Sequence, residues 1–276
     1  MKLSLILCSR NDNYNGDSVG RLTTSLNHNS KMFKELDAEI VLTDWGSDIP
    51  LSETLDLSGD AREIIRFVYV PPNIAQKYQK DSPFSEVHAL NSAARRSCGD
   101  YIGRIDQDTL IGDKFIEWFY NTYLQDEEMR KTYRALFSAR REMSREQSEN
   151  WEVTIKDGSA VDILHRTYAL NQLRFYKSAV GIFIVEKELY YLCGGYDEEY
   201  IYMNYMENNF VERLKNHSEL MNLGKEVDFD FFHLKHIQSD GACDYPSGVR
   251  KTNPRYSIAR VVNPNGNNWG LVGEDL

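Results

Sequence analysis

The chain has 276 residues, 41% of them hydrophobic, 12% aromatic and 27% charged. That balance excludes a disordered chain and allows one large α/β domain or two small ones. A net charge of −10 argues against nucleic acid or an anionic membrane surface as partner. The apolar run at residues 3–8 is too short for a signal segment, and no stretch of 18 apolar residues follows, so no membrane span and a cytoplasmic location are expected. Four scattered cysteines (Cys8, Cys98, Cys193, Cys243) without a Cys-x-x-Cys pair read as free thiols in a reducing compartment.

Taken in order, residues 3–8 read as a buried strand that runs into a polar, turn-rich loop at 9–16. Leu22, Leu26 and Phe33 then suggest an amphipathic helix. Residues 38–43 form a second strand, ending in Asp44-Trp45-Gly46-Ser47-Asp48. Residues 64–70 form a third, stopped by Pro71 and Pro72. A helix is predicted from Ser85 to Ser97: Ser85 caps it, Phe84, Val87, Asn91 and Ala94 recur at helical spacing, and Gly99 ends it. Residues 101–105 are a fourth strand. Asp113 caps the next helix, with Phe115, Ile116, Phe119 and Tyr123 on one face.

Residues 125–145 are highly charged and helix-prone, and read as a solvated helical excursion. A further strand covers 179–185. The tight loop at 192–199 contains Gly194 and Gly195, which permit positive φ. Residues 206–214 are helical, and 230–237 form a late strand bearing His233 and His236. The tail, 248–276, is rich in Gly, Asn and Pro and irregular. Strand–helix alternation predicts an α/β fold: an open, mostly parallel twisted sheet flanked by helices, in a single domain. Such sheets bind ligands beyond the carboxyl ends of their strands, where strand order reverses.

The fourth strand ends in Asp106-Gln107-Asp108. Period-two alternation lets both carboxylates point one way if the strand persists that far. Paired acids there suit a hard divalent cation that keeps positions open for phosphate oxygens. Alone, Asp-x-Asp is unspecific, and two acids after a strand also make an ordinary solvated turn. Three other landmarks stand in order with it: Ser9-Arg10-Asn11-Asp12, Asp44 to Asp48, and Gly194-Gly195-Tyr196-Asp197-Glu198 ahead of Met206-Glu207-Asn208-Asn209 and Arg213-Leu214. The ordered set resembles the GT-A (Rossmann-like) glycosyltransferases, especially family 2 and its β-1,4-galactosyltransferase and chondroitin-polymerase relatives. Only 125–175 falls outside the resemblance.

The resemblance implies a nucleotide-sugar-binding half at 1–124, a helical insertion at 125–175 that either is solvated or recognises the acceptor, and an acceptor-binding half with a C-terminal lid at 176–276. It also implies a nucleotide-sugar donor, most commonly a UDP-sugar, a glycan or other hydroxyl acceptor, and Mn²⁺ or Mg²⁺. Carried over by position, Arg10 and Asp12 contact the nucleotide, and Asp44 contacts the base or else only accepts hydrogen bonds in its own turn. Asp106 lies near ribose and metal, and Asp108 binds the metal. His236 is the late metal-binding histidine, supported by Asn253-Pro254-Arg255-Tyr256; Trp269-Gly270 resembles another short motif. His233, three residues earlier, would face the opposite side of a strand. Arg104 reads as a phosphate contact, a partner of Asp106, or an edge residue facing solvent. Tyr196, Asp197 and Glu198 are placed on the acceptor side. Trp45, Tyr196, Tyr202 and Tyr205 read as core aromatics or as stacking platforms for a sugar. The loop 238–250 is expected to order over bound donor, with Arg250 and Lys251 toward the diphosphate.

Glu207 is the candidate base for inverting transfer. Where the family pattern commonly has an aspartate after this Glu, the chain has Asn208, which cannot take a proton. A retaining enzyme of the same fold and a catalytically inactive glycan-binding relative therefore stay open. A sugar-1-phosphate nucleotidylyltransferase fits poorly, because residues 9–14 lack a Gly-rich basic loop.

Overall fold

The computed structural model describes residues 2–14, 16–157, 162–163, 180–202, 204–228, 230–236, 249, 251–254 and 263–276. Its strands are β1 (Leu3–Ser9), β2 (Ala38–Trp45), β3 (Ile65–Val70), β4 (Tyr101–Arg104), β5 (Thr109–Ile111), β6 (Ala135–Ala139), β7 (Arg141–Glu142), β8 (Asp162–Ile163), β9 (Val180–Glu186), β10 (Leu220–Asn222) and β11 (Phe231–His233). Seven of them form one sheet in the order β10-β6-β9-β4-β1-β2-β3. Every pairing in it is parallel except those of β9 with β4 and β6. The chain steps outward from β1 to β2 and β3, then returns to place β4 on the other side of β1. Strand order therefore reverses between β1 and β4, and a cleft opens beyond their carboxyl ends.

A sheet covered on both faces needs apolar residues at nearly every position. In β1, Leu3, Leu5 and Leu7 pack with Leu22, Leu26 and Phe33 of the helix Ser18–Phe33. Ile6 faces the other way, toward Val87, Leu90, Ala93 and Ala94 of the helix Glu86–Arg96. This is the expected open, mostly parallel sheet. Ser85 sits at the N-cap as expected, but its hydroxyl pairs with His88 Nδ1 at 2.8 Å and makes no cap bond.

Two local expectations give way. Residues 125–145 hold only short helices, Glu127–Thr132 and the start of Arg145–Glu149. Between them β6 enters the central sheet, fully buried, because Ala135-Leu136-Phe137-Ser138-Ala139 carries no charge within its highly charged surroundings. The late strand stops at His233. It joins a second sheet, ordered β5-β11-β7-β8, which sits beyond the acids.

The tail residues 263–276 are irregular but well packed. Trp269 is buried, Arg95 stacks over it at 4.0 Å, and Arg96 donates to Gly270 O at 2.9 Å. Cys8, Cys98 and Cys193 are free thiols; Cys243 lies outside the described residues. No helix among the described residues is long and apolar enough to cross a membrane.

Asn91 ties the loop after Gly195 to the helix beneath it. Its Oδ1 accepts from Tyr190 Oη (3.0 Å) and Tyr196 N (2.9 Å), and its Nδ2 donates to Tyr196 O (2.8 Å) and Glu198 Oε1 (3.0 Å). Gly195 is required opposite it, with φ +67° and no space for a Cβ, which would lie 2.4 Å from Asn91 Oδ1. Asn91→Ala orphans a buried N–H and a buried phenol, so urea unfolding should show a loss of about 3 kcal/mol. A loss under about 1 kcal/mol would mean that the loop finds other partners.

Candidate functional site

A cleft of about 710 Å³ lies at the carboxyl ends of β1 and β4. Although the molecule is acidic, Arg10, Arg21 and Arg140 line this cleft, together with Asp106, Asp108, Glu86 and Glu207.

The deepest acid is Asp108, 3% exposed. It does not stand on β4, which ends at Arg104, but in the turn before β5. Antiparallel pairing sets Thr109 opposite His233, and Leu234 N donates to Asp108 O at 3.0 Å. The backbone thus fixes Asp108 beside the end of β11. Its Oδ1 lies 3.1 Å from His233 Nε2, and its Oδ2 lies 3.2 Å from Arg21 Nε and 4.0 Å from His236 Nε2. Asp108, His233 and His236 each offer a ligand atom, all within 4.8 Å of one another.

Both histidines therefore reach one site. The opposite-face argument for them fails because the chain leaves the strand after His233, and the period of two ends there. One carboxylate and two imidazoles form a mixed O/N donor set that fits a divalent ion such as Mn²⁺. The other ring nitrogen of His233, Nδ1, lies 2.9 Å from Glu142 Oε2. Burial alone pulls the His233 imidazolium down, but hydrogen bonds to Asp108 and Glu142 outweigh it and raise the group to about 9. Nε2 would have to give up its proton to ligate a metal.

Asp106 was expected as the second ligand, and it lies apart from this group. Its Oδ1 accepts from Arg104 Nη2 at 2.7 Å and its Oδ2 pairs with Arg140 Nη1. With the strand already ended, nothing forces the two acids to point together. Arg104 is 6% exposed and belongs to the central strand β4, between β9 and β1, so the edge reading is excluded. Its Nη2 also meets Glu86 Oε1 at 2.7 Å and Glu207 Oε1 at 3.5 Å. Burial works against the guanidinium, yet Asp106, Glu86 and Glu207 together keep it firmly protonated. Glu207 sits in the first turn of the helix Met206–Leu214, which enters through Tyr205 at φ +66°.

Arg10 and Asp12 line the cleft mouth as a pair: Arg10 Nε donates to Asp12 Oδ2 at 2.7 Å, and its Nη1 donates to Pro83 O at 2.7 Å. Asp44 is fully buried and does not line the cleft. Its carboxylate accepts from the Ser47 hydroxyl and from Leu51 N at 2.7 Å, so both oxygens are spent inside the turn. Nor do Tyr196, Asp197 and Glu198 line it. Tyr196 is in the core against Phe210, and Asp197 Oδ1 accepts from Glu199 N. Glu198 Oε1 binds Asn91 and Gly270 N. Of the aromatics, Trp45 is fully buried and Tyr202 reaches the cleft. Asn253 Oδ1 accepts from Tyr202 N at 2.9 Å, which holds that loop. Arg255, Tyr256, Arg250 and most of the loop 238–250 lie outside the described residues.

Sequence reasoning missed Arg21, Glu86, Arg140 and Glu142. Glu86 carried a weak signal, an acid in the first turn of a helix leading to the strand of interest. Arg140 and Glu142 were concealed inside a run of charge that resembled solvated surface.

Comparison with solved structures decides the architecture. The structure of S. aureus TarS 1-349 in complex with UDP matches with a TM-score of 0.56 at 15% identity, over 84% of this chain. The chain has the GT-A fold. A TarS 1-349 complex with UDP-GlcNAc matches with a TM-score of 0.55 at 14% identity, over 87% of this chain. The mannosyltransferase PcManGT from Pyrobaculum calidifontis, in complex with GDP-Man and Mn²⁺, matches at 0.51 and 14% identity, again over 87%. This GT-A chain spans 60% of each of those TarS chains and 58% of PcManGT. No model of a known protein family matches the sequence, and no curated protein matches it.

Glu86 provides a test of the charge balance in the GT-A cleft. Partial burial raises its carboxyl above the ordinary 4.5, with Arg104 opposing and Glu207 and Asp106 adding to the rise. A raised carboxyl keeps its proton in the folded state after the unfolded chain has lost it, so its stabilising contribution is lost as pH climbs above 4.5. Urea unfolding of Glu86→Gln, which cannot titrate, should show a smaller decline across that window than the unsubstituted protein. Equal declines would sink the assignment.

Proposed function

We propose that the chain is a metal-dependent glycosyltransferase that moves a sugar from a nucleotide-sugar donor, of the UDP class, to a hydroxyl acceptor with inversion. The observation that carries this reading is the Asp108–His233–His236 ligand group, which lines one cleft with Glu207 at the strand switch point. The fold neighbours in complex with UDP, UDP-GlcNAc and GDP-Man with Mn²⁺ support it.

In this reading Asp108, His233 and His236 would hold a divalent cation, whose charge would offset that of a diphosphate leaving group. Arg10 and Arg140 line the same cleft and offer fixed positive charge to the nucleotide and phosphates. Glu207 accepts the proton of the attacking hydroxyl. Arg104 holds that carboxylate at the cleft wall, where its side chain is 21% exposed and open to an acceptor. Asn208 favours a second reading, transfer with retention, in which no protein base removes that proton; the anomeric configuration of the product separates the two.

The test is a panel of nucleotide sugars with Mn²⁺, scored by free nucleotide released. Asp108→Asn and excess EDTA should each abolish release. Full turnover in EDTA would remove the metal from the mechanism. Glu207→Gln should lower kcat by about 10²- to 10⁴-fold with little change in donor binding, the range for losing a general base. An unchanged kcat would move the base elsewhere.

A further inference from the structure

We propose that Glu142 is a positioning residue that fixes the ring orientation and tautomer of His233 for a divalent cation. The inference rests on the metal reading above and extends it beyond the ligands themselves. It starts from register. Strand β7 is two residues long and pairs parallel with β11, so that Phe232 faces Arg141 and His233 faces Glu142. Side chains alternate along both strands, which puts Glu142 and His233 on one face and Arg141 and Phe232 on the other. Arg141 accordingly stacks on Phe232 at 5.8 Å and donates to Asp228 O at 2.7 Å.

Glu142 is itself held. One carboxylate oxygen, Oε1, accepts from Arg140 Nε at 2.7 Å, and Arg140 Nη1 pairs with Asp106. The other, Oε2, lies 2.9 Å from His233 Nδ1. A carboxylate accepts only, so Nδ1 carries a hydrogen toward Glu142, and Nε2, once it gives up its own proton, is the nitrogen that can ligate. Nε2 is the atom aimed at Asp108, 3.1 Å away, inside the ligand group. His233 is 4% exposed, so in this arrangement Glu142, not bulk water, is the partner of Nδ1. Carboxylates behind a ligating histidine orient the ring and raise its basicity.

Glutamine is the informative substitution. It keeps the shape but has one acceptor oxygen for two donors, His233 Nδ1–H and Arg140 Nε–H. Either Arg140 loses its partner, or the amide donates to Nδ1 and moves the ring hydrogen to Nε2, where it blocks ligation.

The experiment titrates the full chain with Mn²⁺ alone, without nucleotide, by calorimetry, with near-ultraviolet circular dichroism in EDTA as the fold control. Glu142→Gln and Glu142→Ala should each weaken Mn²⁺ by about 10- to 100-fold, the range for removing an outer-shell partner. In a His233→Ala background Glu142→Gln should add almost nothing, because its effect passes through that ring. Affinity within about twofold of the unsubstituted protein overturns the proposal, and so does a loss that is equally large without His233. If Asp108→Asn abolishes binding while Glu142→Gln does not, the metal site stands and only the role of Glu142 fails. An unsubstituted chain that binds no Mn²⁺ overturns both. Should Glu142→Gln not fold, Glu142→Ala carries the test alone, with the same loss of about 10- to 100-fold expected, and unchanged binding overturns the proposal.

Discussion

The site depends on one buried positive charge, Arg104 at the end of β4. Taking a guanidinium out of water costs several kcal/mol unless carboxylates surround it. Three do, and they come from separate places: Asp106 from the loop after β4, Glu86 from the start of one helix and Glu207 from the start of another. Satisfying Arg104 therefore brings those three segments together at the floor of the cleft. The same requirement runs outward. Asp106 also binds Arg140, Arg140 binds Glu142, and Glu142 binds His233, which meets Asp108 and, through it, Arg21. Charges of opposite sign alternate from Glu207 to Arg21 with no gap.

This chain of charges pairs the cleft's arginines with its carboxylates inside a molecule of net charge −10: Arg10, Arg21 and Arg140 line it against Asp12, Glu86, Asp106, Asp108 and Glu207. Surface acids set the net charge but are screened within about 10 Å of solvent at moderate salt. Within the walled cleft the effective dielectric is lower, and each lining charge of either sign counts for more. The parallel sheet supplies the walls. Because strand order reverses between β1 and β4, no crossover helix covers that point, and the two loops leaving the strands diverge to form its sides.

Two sheets share the work. The seven-stranded sheet positions Arg104 and the loop with Asp106. The small sheet β5-β11-β7-β8 carries His233 on β11 and Glu142 beside it on β7, and holds Asp108, just before β5, through Leu234 N. The ligand group thus stands on paired backbone, apart from His236, which lies three residues past the end of β11. Rigid support of this kind holds a metal or substrate geometry within the narrow tolerance that chemistry needs.

The sequence by itself determined the α/β sheet, the existence and place along the chain of its first four strands and the acids after the fourth, because apolar runs and turn residues are local signals and each strand's burial is written in its own residues. The family resemblance in its motifs also named Arg10, Asp12, Asp106, Asp108, Glu207 and His236, all of which line the cleft. Tertiary structure alone decided the rest. Asp106 turned to the arginines because β4 ends one residue early, and His233 joined His236 because β11 ends at His233; no pattern of alternation records where a strand stops. Asp44, Tyr196 and Glu198 proved to bind loops together, a matter of which partners lie across the fold. Arg140 and Glu142 were unreadable as site residues because a charged side chain on a short strand looks like solvated surface until a second strand, distant in sequence, is laid beside it.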